Sequence, residues 1–304
     1  MASYDLKLDP HLLSTFLAVC DLRKISAATR VVHLSQPAVT AQIRKLESEL
    51  NTSLFIRSVR GVQLTADGRK LYEYARKIHS LIDETIHAMS KEAEPSGHIT
   101  LSASTTIASY VLPRILGSFA QDYPKAHINL NVGNTDEVIK EVKSGKTPLG
   151  LVEGLLKVPH LRTELFIRDQ IIPIASPLLA ERIKRLSDLK ETTILWREPG
   201  SGTRAVVERN LKLAGIRKSP APFDRVMGGT EVIKGSVMAG LGVGFVSNWS
   251  VQNEIALGWI SKVALPDLHI ERSFAWALPS GALSGLPRTF YEFAKKKSAS
   301  IALK

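Results

Sequence analysis

The stretch Lys24-Ile25-Ser26-Ala27-Ala28-Thr29-Arg30-Val31-Val32-His33-Leu34-Ser35-Gln36-Pro37-Ala38-Val39-Thr40-Ala41-Gln42-Ile43-Arg44-Lys45-Leu46-Glu47 predicts two short helices joined by a tight turn. Ser35 is an N-cap residue type for the second helix, and Pro37 falls in its first turn, where a missing N–H costs little. Val39, Ile43, Leu46 and Leu50 then recur with the rhythm of a helix packed along one side. The opposite side carries Gln36, Thr40, Arg44 and Lys45. Amide and hydroxyl groups near a helix start can pair with base edges in a major groove, while Arg and Lys reach phosphates. A helix-turn-helix presents its second helix in this way. Pattern alone leaves a second reading open, an ordinary solvated face on an amphipathic helix.

Charge around this stretch is one-sided. Between Arg23 and Lys77 there are eleven basic residues against four acidic ones, the footprint of a surface that meets a polyanion. The whole chain carries a net charge of +11 over 304 residues. That length suggests two domains with sizeable cores. No apolar run approaches the ~18 residues needed to span a bilayer, so no membrane partner is expected. The first ten residues include Asp5, Lys7 and Asp9, which argues against a secretory leader and for a cytoplasmic location. A single cysteine, Cys20, cannot form an internal disulfide and suits a reducing compartment. Its neighbours Phe16, Leu17 and Val19 point to a packing role, with a redox switch as the alternative.

Upstream, residues 11–21 read as a helix with Leu12, Leu13, Phe16, Leu17 and Cys20 inward. Downstream, residues 53–57 and 61–65 read as two short strands about Arg60-Gly61. They form either a wing that brings Arg57 and Arg60 to DNA or an ordinary charged hairpin. A long helix follows over residues 66–91. Its Leu71, Ala75, Ile78, Ile82, Thr85 or Ile86, and Met89 approach heptad spacing, and this seam pairs with a second copy or lies on the chain's own core. The polar run 92–97, with Pro95 and Gly97, ends the helix and marks a domain boundary.

Ser26, Ala28, Ser35-Gln36-Pro37-Ala38, Thr40, Ile43, Leu46-Glu47, Leu54-Phe55, Arg57, Leu64-Thr65 and Gly68 together resemble the N-terminal signature of LysR-type transcriptional regulators. Thr29 stands where that family usually has Ala, Val32 where Leu is usual, and Asn51 where Gly usually ends the recognition helix. Asn tolerates the left-handed conformation such an end needs. The resemblance implies a winged helix-turn-helix DNA-binding domain at 1–65 and a linker helix at 66–91 that dimerises. It also implies a hinge at 92–97 and an effector domain at 98–304. Ser35, Gln36, Pro37, Thr40, Arg44, Lys45, Arg57 and Arg60 would be the DNA-binding residues. Double-stranded promoter DNA, a second copy of the chain in a homodimer or homotetramer, and RNA polymerase are the candidate partners.

Beyond residue 97 short strands alternate with helices, which implies an α/β fold with a largely parallel sheet. Strands are expected at 99–103, 128–132, 149–152, 170–175, 193–195, 243–246 and 273–278. Helices are expected at 107–121, 137–143, 203–214, 231–239 and 286–297. In the resembled family this part is a two-lobed, periplasmic-binding-protein-like domain. Lobe I would cover about 98–167 and 272–304, and lobe II about 168–271, with the chain crossing near Arg168 and Glu271.

Three polar stretches lie at strand ends, where open α/β sheets bind ligands. They are Ser102-Ala103-Ser104-Thr105-Thr106, Gly133-Asn134-Thr135, and Arg197-Glu198-Pro199-Gly200-Ser201-Gly202-Thr203-Arg204. Hydroxyls, exposed amides and two arginines at helix starts suit an anion, although each hydroxyl alone also reads as a helix cap. With Tyr110-Val111-Leu112-Pro113 and Leu149-Gly150-Leu151-Val152-Glu153-Gly154, they resemble the branch of the family that regulates carbon-fixation genes and responds to sulfur oxyanions. Ser104, Thr105, Thr106, Asn134, Thr135, Glu153, Ser201, Gly202, Thr203 and Arg204 would then hold a small anionic effector: a sulfur oxyanion, a phosphorylated metabolite or a carboxylate. Pro148 departs from the Asp often found before the Leu149 strand.

Enzyme signatures are missing: there is no phosphate-binding Gly-x-x-x-x-Gly-Lys-Ser/Thr, no His-Glu-x-x-His and no Gly-x-Ser-x-Gly, and the eight histidines are scattered. Neither a cofactor nor a metal is expected. Gly240-Leu241-Gly242-Val243-Gly244-Phe245 lacks dinucleotide-fingerprint spacing and reads as a turn into a buried strand. A solute-binding component without DNA affinity is the competing function.

Overall fold

A computed structural model describes residues 8–58, 61–89, 95–154, 158–216 and 221–301. The chain divides into two compact units, one N-terminal and one that follows residue 93.

In the N-terminal unit, α1 (Pro10–Leu22) starts where Asp9 accepts a hydrogen bond from His11 N. Helix α2 (Ile25–Val32) ends at His33, whose φ of 53° is left-handed. Helix α3 (Gln36–Glu49) is capped by the Ser35 side chain, which accepts from Ala38 N. Its end is fixed by Asn51 at φ 48°, where Thr52 N donates to Glu47 O and Asn51 N to Ser48 O. This 6→1 and 5→2 pair is a Schellman stop, so Asn does the work expected of Gly. Strands β1 (Phe55–Ser58) and β2 (Gly61–Leu64) pair antiparallel, and α4 (Ala66–Met89) follows.

Leu12, Leu13, Phe16, Val19, Ala28, Val39, Ile43, Leu46, Leu54 and Ala75 form one buried cluster. Each large side chain fully buried there contributes about 1.5–3 kcal/mol. Two glycines permit the close packing. A Cβ on Gly68 would lie 2.1 Å from Leu54 O, and one on Gly61 2.4 Å from Arg23 O.

The seam expected on the long helix divides in two. Leu71, Ala75 and Ile78 pack on this unit's own core, whereas Leu81 and Ile82 are exposed. The first half is therefore an intramolecular contact with α1, the second of the two readings that the apolar spacing left open. The expected hinge residues 92–94 lie outside the described residues.

The C-terminal unit is built on one nine-stranded sheet. Strand β3 (Gly97–Ser104) leads through a π-helical turn (Ile107–Val111) into α5 (Leu112–Asp122). Strand β4 (Ala126–Gly133), α6 (Thr135–Lys143) and β5 (Gly150–Glu153) complete the first lobe's βα units. Strand β6 (Leu161–Ala175) carries the chain across. The second lobe contains α7 (Pro177–Arg182), β7 (Ile194–Arg197), α8 (Gly202–Leu213), β8 (Arg225–Met227), α9 (Thr230–Met238) and β9 (Val243–Ser247). It ends with α10 (Gln252–Ala256) and β10 (Ser261–Lys262). Strand β11 (Ile270–Pro279) returns to the first lobe, and α11 (Gly285–Ile301) closes on it.

The strand order is β4-β3-β5-β11-β6-β9-β7-β8, with β10 beside β6. Pairs within each lobe are parallel (β3 with β4 and β5, β7 with β8 and β9). Pairs made by the crossing strands are antiparallel (β11 with β5 and β6, β6 with β9). A largely parallel sheet thus holds inside the lobes only, because the βα alternation that predicts it says nothing about the two returning strands. Arg168 lies in the middle of β6 and Glu271 is the second residue of β11, with Glu271 opposite Gln170 and Ser273 opposite Arg168. The crossing is a continuous ribbon rather than a pair of loops.

The helix expected over 107–121 begins as a π-turn and becomes α-helical only from Leu112. The Gly240–Phe245 run is a turn into β9, with φ 77° at Gly240 and 157° at Gly242. Trp276, Phe119 and Phe290 centre the first lobe's core. Trp196, Leu211 and Phe245 lie in that of the second.

Candidate functional site

On α3 the packed side is Val39, Ile43 and Leu46, all buried. Gln36, Pro37, Arg44 and Lys45 are exposed, and Thr40 is half-buried beside them. Lys45 makes a loose contact with Glu49 at 3.9 Å, an exposed pair worth little. Ser35 is committed to capping, so its role is to start the helix. Glu47 faces the other way and accepts from Leu54 N at 2.8 Å, which ties the helix end to the start of the wing. Arg57 sits in β1, and Arg60 lies outside the described residues.

In the C-terminal unit the ten residues expected to hold an effector come together, but most of their polar atoms are already engaged. Thr105 donates to Gly133 O at 3.3 Å. Asn134 and Glu137 form a reciprocal cap on α6: Asn134 N donates to Glu137 at 2.8 Å and Glu137 N to Asn134 Oδ1 at 3.1 Å. Thr135 Oγ1 accepts from Glu153 N. Ser201 caps α8 by accepting from Arg204 N. Arg204 binds Glu208 at 2.8 Å and Arg197 O at 3.1 Å. Gly202 allows α8 to approach β5, since a Cβ there would meet Glu153 O at 2.4 Å. Thr135, Glu153, Ser201, Gly202 and Arg204 line one cavity of about 510 Å³, with Asp136 and Arg209 also on its wall.

Glu153 is the centre of the arrangement. Its carboxylate accepts from Thr203 Oγ1 at 2.5 Å, from Thr106 N at 3.3 Å and from Arg272 Nη1 at 2.5 Å. Burial alone would raise its pKa. The Arg272 guanidinium and the Thr203 and Thr106 hydrogen bonds outweigh burial and hold it down to about 2. Arg272 also donates from Nε to Asp169 at 2.6 Å, and Asp169 accepts from Ser247 Oγ at 2.7 Å. Burial is the largest influence on Asp169 and pushes its pKa up against Arg272 and Ser247. Glu153 is thus an internal counter-ion, already bound to the donors an incoming anion would use, and this alters the role expected for it.

Two buried polar atoms around this cluster have no hydrogen-bond partner among the described residues: Ser104 Oγ and Arg272 Nη2. A buried donor left unmade is costly and calls for an occupant. Among the expected residues described, Ser104 is one whose buried side-chain oxygen has no hydrogen-bond partner.

The sequence reading missed Arg272, Asp169 and Lys234. Arg272 is a lone cation at the head of the apolar run 273–278, a signal that could have singled it out. Lys234 is buried on α9 and meets Glu254 at 2.7 Å, Ser250 O at 2.8 Å and the Tyr110 hydroxyl at 3.3 Å. Tyr110 also bonds Glu231, so the π-turn of one lobe is tied to α9 of the other. Cys20 is half-buried, and burial pushes its thiol up to about 12, which makes it inert as a nucleophile.

Comparison with known proteins fits both halves. Residues 10–69 match the family described as bacterial regulatory helix-turn-helix protein, lysR family, and residues 92–299 match the LysR substrate binding domain. A probable RuBisCO transcriptional regulator of Emiliania huxleyi is 32% identical over 256 residues, covering 82% of this chain and 81% of the relative. Full-length CbnR, solved in complex with its target DNA, superposes with a TM-score of 0.65 at 21% identity, covering 96% of this chain and 100% of that one. The CcmR regulatory domain of Synechocystis PCC6803, solved in complex with 2-PG, gives 0.59 at 24% identity over 67% of this chain and 98% of that one. Among the described residues no helix is long and apolar enough to cross a membrane. With a matching family domain at each end and a helix-turn-helix that leaves its polar side outward, this chain belongs to the LysR family of transcriptional regulators, with an N-terminal DNA-binding domain and a C-terminal effector-binding domain.

Proposed function

We propose that the chain binds double-stranded promoter DNA as a homodimer or homotetramer, and that a small anion held between the two lobes modulates that binding. The proposed organisation is a DNA-binding domain at 1–65, a linker helix at 66–91, a hinge at 92–97 and an effector domain at 98–304. The observation that carries the DNA reading is the division of α3 into a buried apolar side and an outward side bearing Gln36, Arg44 and Lys45. The family relative CbnR, solved on its target DNA, supports it. Leu81 and Ile82, exposed farther along α4, support a second copy of the helix as their cover.

The anionic class rests on Ser104 Oγ and Arg272 Nη2, buried donors that would each be satisfied by an oxyanion or carboxylate oxygen. Of the cations near the site, Arg197 is paired with Glu198, Arg204 with Glu208, Lys234 with Glu231 and Glu254, and Arg272 with Glu153 and Asp169, whereas Arg209 on the cavity wall has no ion pair among the described residues. A compact anion that takes up these two buried donors is the class that suits the site. The CcmR regulatory domain, which has this fold, was solved with the small molecule 2-PG.

The effector would act by favouring one lobe arrangement, to the extent of its differential affinity for the two. A thermal-shift screen of sulfite, sulfate, thiosulfate, phosphoglycolate and small dicarboxylates tests this. A ligand at 100 times its Kd adds about 2.7 kcal/mol, and Ser104→Ala is expected to abolish the shift from the active compound. A screen in which no anion shifts the melting curve, or a shift unchanged by Ser104→Ala, overturns the assignment.

A further inference from the structure

We propose that His98 and His127 form an open two-imidazole site for a divalent first-row transition ion at the start of the effector domain. The two residues are 29 positions apart, which is why they read as scattered in the sequence. Parallel pairing of β3 with β4 sets them directly opposite each other, His98 against His127. Their rings lie 4.8 Å apart between centroids, inclined by 29°. Both side chains are exposed, and none of their ring nitrogens has a hydrogen bond among the described residues.

The spacing suits coordination. With metal–nitrogen bonds of about 2.0–2.1 Å, two imidazoles bound side by side on one ion place their centroids roughly 4.5–5 Å apart. The rings are stacked face to face, so binding requires these two exposed side chains to change rotamer until one nitrogen of each points to a common ion, while the backbone positions are already held by strand pairing. Two neutral imidazoles favour Cu(II), Ni(II) and Zn(II) over Mg(II) or Ca(II), with Cu(II) the tightest.

The neighbourhood leaves the ion's other positions to water. Farther along the same face of the two strands lie Thr100 with Asn129 and Ser102 with Asn131. The carboxylate of Glu141 is committed to Ser102 and Asn131. Among the described residues no third His, Cys, Asp or Glu completes a metal cluster. A bound ion would cross-link β3 to β4 where the chain enters its effector domain.

The test uses the full-length chain stripped with EDTA and desalted, titrated with Cu(II) and followed by electron paramagnetic resonance, with Ni(II) calorimetry alongside. The expected result is one Cu(II) per chain at micromolar concentration, with hyperfine structure from two nitrogens. His98→Gln and His127→Gln should each lower the affinity roughly 10-fold or more, because each removes one of two protein ligands. His160→Gln, a control away from the pair, should leave it unchanged. Binding that survives the His98→Gln/His127→Gln double substitution, or that appears only at millimolar metal, overturns the proposal. Circular dichroism of each variant separates loss of ligand from loss of fold.

Discussion

At the scale of single residues the most informative group is Glu153. Removing Arg272 would strand two buried carboxylates, so Arg272→Met is expected to destabilise the effector domain by about 3–5 kcal/mol, measured by urea unfolding. The pH dependence has a defined sign. Glu153 is held at about 2 in the folded chain against 4.5 for the free side chain. Its contribution is therefore complete above 4.5 and fades as pH falls toward 2. Asp169 works in the opposite sense. Its folded pKa is raised from 3.8, so the folded chain holds that proton more tightly and gains relative stability as pH falls through this range. The stability difference between the native chain and Glu153→Gln should shrink as pH drops from 5 toward 2. For Asp169→Asn the difference should move the other way. Parallel pH profiles for all three proteins would contradict the network. Glu153 itself was legible in the sequence, through the Leu149–Gly154 run. Its partner Arg272 was not, because they are 119 residues apart and meet only through the pairing of β5 with β11.

At the scale of elements, stops and close approaches decide the DNA-binding fold. The Schellman end of α3 requires a left-handed residue at position 51, so Asn51→Gly should be neutral or slightly stabilising, while Asn51→Ala should cost about 1 kcal/mol. Gly68 offers a sharper case. Ala is the better helix former by nearly 1 kcal/mol, yet a Cβ at 68 would collide with Leu54 O at 2.1 Å. Gly68→Ala should therefore destabilise the N-terminal unit despite its helical propensity, read as a lower melting temperature of that unit. A higher one would contradict the packing.

Helix starts and the apolar rhythm of α1 and α3 were readable because capping chemistry and helical period are local. What covers the first half of the α4 seam was left open because heptad spacing marks an apolar stripe without saying what lies against it. Here Leu71, Ala75 and Ile78 are covered by the chain's own core. The π-turn at Ile107–Val111 left no periodic trace either, although it sets the position of Tyr110.

At the scale of the whole chain, two features frame the function. The effector domain's lobes share one sheet, with β6 and β11 paired from Ile171↔Ile270 to Leu161↔Pro279. Amides in these two strands should exchange only through global opening of that domain and be its slowest to exchange. Fast exchange in β6 would show instead that the lobes open independently there. The other feature is charge. A chain with net charge +11, in which residues 23–77 hold eleven basic residues against four acidic ones, is suited to release counterions from a polyanion. Composition could say that much, whereas the proposed reading surface rests on the exposure of Gln36 and Arg44 beside a buried Val39 and Ile43.

The measurement that bears most directly on this is fluorescence anisotropy of the full-length chain on a duplex selected from a random-sequence pool, repeated from 50 to 300 mM salt. For the native chain, log affinity should fall steeply with log salt, by about 0.9 per phosphate neutralised. Arg44→Ala should weaken binding and make that slope shallower by about 1, whereas Gln36→Ala should cost about 1–3 kcal/mol against the selected duplex with little change in slope. Affinity indifferent to salt, or both variants binding as the native chain does with their folds intact, would contradict the claim that this helix reads DNA.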